Sequence, residues 1–498
     1  MKKTIIDISI SIISNGWLAG INFIFTPIFL KILGPEGYGL VGIYTTLYTA
    51  LILFDFGLST SLNKELALLS NMNGSATKSR NVARKAEIIS WIISIIMISI
   101  FIINIDYLSL NWIKSDSFSF NYIKTILLLV GISLFFQLPI NLYTGGLYGL
   151  QQYSSLSILN IVSTSVRYFG AFCVLKYHSN DIIVFFYWQI ISSIFNLLLV
   201  FYLFRRALPK SNKEDVQDTY SYQMILKIAS AIGIFSVGEF LLGQIDKIIL
   251  TRLISLESFG YLMTITTFAS ATTLFIRPLG NVAFPKLSIL ANHSSELKKQ
   301  YFNLSHLMSI LICPFIWWIC FYSREIILLW SKNSQLADKG QMILQFLIVG
   351  NGIYALNKIP AVLSLAKGQN KILIYQNFVS SIILIIIVLL LTPKIGVLSG
   401  SIGWVIVNLF FLCISIPLIH KKIFDNIEIT WFYQIIIRPN LTVLVVYSII
   451  WFLGIQKMGF WLSLLILGLN YIILLFQSKL INVNSVYDHI TKRLWKSD

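Results

Sequence analysis

Some fourteen times along its 498 residues the chain runs for about 20 residues with almost no charge, and this recurrence constrains the fold more than any motif. A bilayer's hydrocarbon core is about 30 Å thick, and a helix rising about 1.5 Å per residue crosses it in about 20 residues. By that criterion the runs fall at 5–30, 40–62, 88–105, 122–147, 156–177, 182–204 and 225–250. The rest follow at 259–284, 304–322, 342–365, 372–391, 396–419, 441–453 and 460–476. The expected fold class is an all-α polytopic membrane protein of about 14 transmembrane helices.

Composition agrees, and it excludes several function classes. Only 12% of residues are charged and 56% are hydrophobic, with mean hydropathy +0.77. Soluble domains carry roughly 25% charged residues. The formal net charge of +17 does not make a nucleic-acid-binding face, because the few charges cluster between apolar runs. Cys173, Cys313, Cys320 and Cys413 all sit inside apolar runs without metal-ligand spacing, which argues against a disulfide framework. Met1-Lys2-Lys3 leads into a stretch of spanning length, so no cleavable signal is expected. The chain has no G-x-x-x-x-G-K-[S/T], no H-E-x-x-H and no Cys/His cluster. No loop is large enough to carry a catalytic carboxylate pair, and the chain is not expected to be an enzyme.

The distribution of positive charge orients the spans. With Met1 on the cytoplasmic side, 24 Lys and Arg residues fall on that side and 10 on the other. Both termini are then cytoplasmic, with an even number of crossings. The longest external segment is 106–121. The polar stretch 208–222 (LPKSNKEDVQDTYSY) breaks the chain near its middle as an interlobe linker would. In the tail, 479–498, Leu480, Val483, Val486, Ile490 and Leu494 recur at helical spacing among Lys and Arg. That pattern fits an amphipathic helix on an anionic leaflet and equally a solvated tail helix.

An internal repeat gives the domain plan. At an offset of 221 residues, the segment beginning IFLKILGPEGYGL at Ile28 aligns without gaps to ILTRLISLESFGY at Ile249. Glu36 pairs with Glu257, Gly39 with Gly260, Thr45-Thr46 with Thr266-Thr267, and Asn71 with Asn292. Apolar identities count for little, whereas the Glu, Gly and Asn matches in loops do not come from apolarity. An interval of six spans preserves orientation, so the halves are parallel repeats about an axis along the membrane normal. The expected plan is a six-helix lobe at 1–207, the linker at 208–222 and a second six-helix lobe at 223–422. A helix pair at 423–478 and the cytoplasmic tail at 479–498 complete it.

The N-terminal residues carry a further signal. Leu33-Gly34-Pro35-Glu36-Gly37-Tyr38-Gly39, then Asp55-Phe56-Gly57-Leu58-Ser59 and Asn63-Lys64-Glu65-Leu66-Ala67, resemble the polysaccharide-unit flippases of Wzx type. Those belong to the multidrug/oligosaccharidyl-lipid/polysaccharide exporter superfamily. The resemblance is sharp over roughly the first seventy residues and elsewhere rests on span count, repeat and loop pattern. It implies a V-shaped pair of six-helix lobes around a central cavity. It also implies transfer of an undecaprenyl-pyrophosphate-linked oligosaccharide, such as an O-antigen or capsule unit, from the inner to the outer leaflet of a bacterial cytoplasmic membrane. The partners implied are that glycan lipid, the bilayer and the glycan polymerase and assembly machinery.

Charges left inside the spans are the candidate site. Each costs at least about 2.5–3.5 kcal/mol at mid-bilayer and so asks for a partner or a use. The cations are Arg167, Lys247, Arg277 and Lys358, and the carboxylates are Asp55, Glu239 and Asp246. Arg167 lies near the middle of its span, facing either a polar cavity or a structural partner. Arg277 precedes Pro278, and it is the residue that matches a substrate-site arginine that the flippase family commonly carries on this helix. Its repeat counterpart is Phe56, next to Asp55. Asp55 and Arg277 are therefore expected at similar depth in opposite lobes, as a pair that forms in one transport state; Asp55 hydrogen-bonding local backbone is the equal alternative. Gly352 and Pro360 beside Lys358 suggest a bent helix. Asp246-Lys247 lies near the outer end of its span, within reach of the interface.

A pyrophosphate carries two or more negative charges, and arginine forks bind phosphate oxygens bidentately. Arg167, Arg277, Lys358 and Lys247 are thus expected to hold the headgroup, and Asp55, Glu239 and Asp246 to couple or gate transport. No cofactor is expected beyond a coupling H⁺ or Na⁺. A cation-coupled multidrug or other lipid exporter of the same superfold is the alternative; it predicts cavity carboxylates dominating over cations. A membrane-embedded oligosaccharide polymerase is the more distant one, and lacks the large external loop it requires.

Overall fold

The computed structural model describes residues 2–55, 57–70, 76–209, 222–424, 427–452 and 460–477. Most of the expected linker 208–222 and all of the expected tail 479–498 lie outside these residues. Among the described residues every regular element is a helix. In chain order they begin α1 (Lys2–Asp55), α2 (Leu58–Leu69), α3 (Ala76–Ile103), α4 (Ile105–Tyr107), α5 (Phe120–Phe135), α6 (Gln137–Gly149) and α7 (Tyr153–Tyr177). There follow α8 (Ile182–Ala207), α9 (Tyr222–Leu253), α10 (Leu256–Ala269), α11 (Thr273–Ile289), α12 (Ser294–Phe321), α13 (Ser323–Ser331) and α14 (Ser334–Ala366). The last are α15 (Asn370–Ile395), α16 (Leu398–Phe410), α17 (Ile416–Ile423), α18 (Glu428–Trp431), α19 (Arg438–Phe452) and α20 (Phe460–Gln477).

Ten helices are long and apolar enough to cross a membrane among the described residues, and α10 with α11 makes one more as a bent pair. Helix α1 holds two of the expected spans. Its 54 residues would extend about 80 Å, far beyond one core of about 30 Å, and Gly34 (φ 73, ψ 170) breaks it. The sequence LGPEGYG, expected as a loop, is therefore a one-residue hinge: Pro35 restarts the helix at once, since its ring suits a first helical turn. Tyr38 Oη donates to Thr26 Oγ1 at 3.1 Å and ties the two arms across the break. With α9 and the shorter apolar α20 included, the order of segments follows the fourteen expected spans.

Why these helices suit lipid is visible in what they expose. On α3, Ile92, Ile95, Ile96, Ile100 and Ile103 are each more than half exposed, an apolar face that water would penalise. Several hydroxyls in the spans are satisfied within their own helix: Thr46 donates to Gly42 O at 2.9 Å, Ser94 to Ser90 O at 2.9 Å and Thr264 to Gly260 O at 2.8 Å. Helix starts outside the apolar stretches are capped conventionally. Asp181 Oδ1 accepts from Ile183 N at 2.9 Å and Asn333 Oδ1 from Leu336 N at 3.0 Å.

The helices gather into two compact units, one comprising residues 1–267 and 385–397, the other 268–384 and 398–498. The first unit thus takes in α9 and most of α10 with α1–α8. Its apolar core includes Leu58, Leu62 and Leu66 of α2, Val82 and Ala86 of α3, Tyr143 and Leu147 of α6, and Phe204 of α8. The segment 106–121, expected as an external loop, is ordered here. Glu36 accepts from Ser115 Oγ at 2.6 Å and Ser117 Oγ at 3.1 Å, Trp112 Nε1 donates to Thr251 Oγ1 at 2.8 Å, and Leu256 N donates to Lys114 O at 2.8 Å.

In the second unit, α14 runs as one helix through Gly352 and Pro360. Small residues let it pack closely: a methyl on Gly350 would meet Trp404 Cδ1 at 2.4 Å, and one on Gly352 would meet Ile316 Cγ1 at 2.9 Å. The appended helices are bound to the same unit. Ser309 Oγ donates to Ile435 O at 2.7 Å, Trp317 Nε1 to Asn440 Oδ1 at 2.8 Å and Trp318 Nε1 to Ser463 Oγ at 3.0 Å. Polar side chains inside apolar helices are joining α12 to α19 and α20.

Candidate functional site

The span charges fall into separate constellations, and their partners decide which keep charge to offer. Arg167 sits near the middle of α7, in the first unit. Its Nε donates to Gln189 Oε1 of α8 at 2.7 Å, and its guanidinium carbon lies 5.4 Å and 5.7 Å from the ring centres of Tyr44 and Tyr48. Ring faces attract a cation without cancelling it. Tyr44 is itself fixed, with its hydroxyl 3.1 Å from Ser133 Oγ, which lies 3.1 Å from Ser193 Oγ. Among the described residues no carboxylate is within ion-pair range of Arg167. The guanidinium is therefore oriented by one amide and two rings and keeps its full charge.

Lys247 is different. On α9 its Nζ lies 3.3 Å from Asp246 Oδ1 and donates to Gly243 O at 2.9 Å, with both side chains largely buried. The neighbours neutralise one another, so this lysine is not an uncancelled cation. Glu239 lies on the same helix, and its side chain is outside the described atoms.

Asp55 ends α1. Gly57 (φ 77) turns the chain into α2, and the Asp55 carboxylate accepts from Ser59 Oγ at 2.7 Å and from Ser59 N at 3.2 Å. Of the two roles expected for Asp55, this is the local one: a carboxylate at a helix N-terminus, satisfying an orphan N–H and the positive end of the helix dipole.

In the second unit, Arg277 is exposed on α11 and Lys358 half-buried on α14. A methyl added to Gly280 would meet Lys358 Cε at 3.2 Å, so the lysine stem crosses α11 at that glycine. Gly280 is three residues from Arg277, one turn along the same face. The fold thereby brings two of the expected cations to one side of α11. Two turns before Lys358 on α14, Asn351 Nδ2 donates to Ala269 O at 3.0 Å and Thr272 Oγ1 at 3.1 Å, while Trp404 Nε1 donates to Asn351 Oδ1 at 2.9 Å. Among the described residues neither cation has a carboxylate in ion-pair range.

Sequence reasoning missed Tyr44, Tyr48 and Gly280. The pair Tyr44 and Tyr48, four residues apart and so on one face of a helix, was the available signal. Among the described residues no group of three or more His, Cys, Asp or Glu is placed to hold a metal ion.

The family model described as "Polysaccharide biosynthesis protein" (Polysacc_synt) matches residues 5–291. Among solved structures, the chain is similar to the lipid II flippase MurJ in an inward closed conformation, with TM-score 0.73 at 16% identity over 95% of this chain and 99% of that one. It is also similar to an inward-facing multidrug resistance MATE family transporter of the MOP superfamily (TM-score 0.64, 14% identity, 81% and 94% covered). A MOP superfamily transporter from Pyrococcus furiosus, whose description reports reverse polarity of the binding pocket, gives TM-score 0.57 at 15% identity over 85% and 96%. No curated protein matches the chain by sequence. At these identities the structural likenesses establish a fold, that of the MOP transporters.

Proposed function

The chain belongs to the polysaccharide biosynthesis protein family, and from that premise we propose that it flips a lipid-linked oligosaccharide across a bacterial cytoplasmic membrane. The proposed substrate is an undecaprenyl-pyrophosphate-linked repeat unit, carried from the inner to the outer leaflet by alternating access of two lobes, with both termini cytoplasmic. One observation carries this reading. Arg167, Arg277 and Lys358 have no described carboxylate in ion-pair range, whereas Asp246 is paired with Lys247. Cations left unpaired in apolar helices are costly unless an anion visits them, and a pyrophosphate is such an anion. A drug/cation exporter would want the reverse, carboxylates free and cations paired.

Deleting the gene in its host and following the lipid-linked glycan tests the proposal. The expected result is accumulation of lipid-linked oligosaccharide on the cytoplasmic leaflet and loss of surface glycan. Delivery of single units to the surface would instead indicate a lost polymerase, and a change in toxin sensitivity alone would indicate a drug exporter. Arg167→Ala, Arg277→Ala and Lys358→Ala should each abolish surface glycan while the protein stays inserted. Wild-type glycan in all three would refute the cationic mechanism.

A further inference from the structure

Helix α2 has two unlike faces. Leu58, Leu62, Leu66 and Leu69 are buried in the apolar core of the first unit. On the other face, Ser59 and Asn63, one turn apart and one turn beyond Asp55, line a cavity of about 380 Å³. Helix α6 supplies the facing wall with Asn141, Thr144 and Tyr148, at helical spacing. Two glycines set the closeness of these walls: a methyl on Gly145 would lie 2.4 Å from Ser59 O, and one on Gly149 would lie 2.5 Å from Asn63 O. The polar stripes of α2 and α6 are thus held side by side along a tight backbone seam.

The chemistry of the lining narrows the ligand. The side chains of the lining include hydroxyls, amides, a phenol and one carboxylate, and no Lys or Arg lines the cavity. A phosphate would find no cation there. Asp55 accepts from Ser59, and Asn141 Oδ1 accepts from Gln137 Nε2 at 2.9 Å, which leaves the Asn141 amide hydrogens available. Among the described residues, the Asn63 amide, the Thr144 hydroxyl and the Tyr148 phenol have no hydrogen-bond partner. Polar groups left open between apolar helices call for water or a ligand rich in hydroxyls. Tyr148, 41% exposed, offers a ring face as well as a phenol. The volume is at the lower end of the roughly 300–1,000 Å³ typical of ligand pockets.

We propose that the α2–α6 cleft is a carbohydrate subsite, taking a sugar ring of the transported lipid by hydrogen bonds to the Asp55 carboxylate, by hydrogen bonds with Asn63, Asn141 and Thr144, and by contact with Tyr148. The inference rests on the flippase reading and adds to it a second recognition element, separate from the cations that hold the pyrophosphate. It makes the glycan, and not only the lipid pyrophosphate, a determinant of binding.

The test uses the full chain in nanodiscs and two probes: undecaprenyl pyrophosphate bearing N-acetylglucosamine, and undecaprenyl pyrophosphate without sugar. The wild type is expected to bind the glycosylated probe at least about tenfold more tightly, the size of one or two good hydrogen bonds. Asn63→Ala and the near-isosteric Thr144→Val should each shrink that preference without changing affinity for the bare probe. The bare probe also reports that each variant is folded. Equal affinity of the wild type for both probes, or an unchanged preference in both variants, would overturn the subsite and leave the flippase reading standing. Failure of the wild type to bind either probe would overturn the flippase reading and the subsite with it.

Discussion

Gly39 and Gly260 occupy equivalent places in the two sequence repeats, and each presses on the other's segment. A methyl on Gly39 would lie 2.4 Å from Leu256 O, and a methyl on Gly260 would lie 2.0 Å from Pro35 O. Pro35 and Leu256 are themselves repeat equivalents, so the contact is reciprocal, as at a twofold interface. Gly42 extends it, its missing side chain replaced by Met263 and Phe259. Only glycine allows backbones this close.

Gly39→Ala and Gly260→Ala are each expected to destabilise the folded protein by about 1–3 kcal/mol, the usual cost of overpacking a tight contact. Thermal unfolding in detergent reads this out. Gly20→Ala is the control: a methyl there meets nothing within 4 Å, and alanine favours a helix interior by roughly 0.5–1 kcal/mol. Equal melting of all three variants would show that the crossing tolerates a side chain.

Arg167 is held by a planar arrangement, which gives a second prediction. Its Nε reaches Gln189 while Tyr44 and Tyr48 lie under the guanidinium. Lysine retains the charge but neither the Nε donor nor the flat stacking surface. Arg167→Lys should therefore lose most transport, as Arg167→Ala should. Tyr48→Leu removes one ring, worth about 0.5–2 kcal/mol, and should weaken binding of undecaprenyl pyrophosphate by roughly 2- to 30-fold. Transport by Arg167→Lys at the wild-type level would show that charge alone is used.

The spans and their order are legible in the sequence because bilayer thickness imposes a length that uncharged runs reveal without any knowledge of packing. The alignment makes Gly39 and Gly260 equivalent, and only the fold shows that each packs on the other's segment. What a span does with its charges was less legible. That Lys247 is spent on Asp246 while Arg167 is not depends on which way each helix is rotated, and composition around the residue does not encode rotation. Tyr44, Gln189 and Arg167 come from three helices spread over 146 residues, so only folding shows that they meet. The hinge at Gly34 reads in the sequence as a loop, because Pro35 both ends and begins helices.

Asp55 at the start of α2 supports a third prediction. Its carboxylate serves Ser59 N and Oγ, much as a capping residue does. Asp55→Ala should cost about 0.5–2 kcal/mol of stability, the usual cost of losing a cap. Asp55→Asn keeps an acceptor oxygen and should cost less than half as much. Thermal unfolding of the two variants side by side checks the order; a reversed order would show that the carboxylate is not acting as a cap.

The Asp246–Lys247 pair separates a structural charge from a transport charge. Nζ lies 3.3 Å from Oδ1, and the two side chains are 13% and 14% exposed. Removing one partner leaves a largely buried charge uncompensated, which commonly costs about 3–5 kcal/mol, whereas replacing both by apolar residues is often neutral. Lys247→Met alone should therefore lower expression and melting temperature sharply, and Asp246→Leu with Lys247→Met should restore both. The double variant should also flip substrate, since a self-neutralised pair leaves no charge for a pyrophosphate. A double variant that is stable and inserted yet delivers no surface glycan would return Lys247 or Asp246 to the transport machinery. The same design at Arg167 has no acidic partner to remove, and its neutral variant should remain inactive however stable it is.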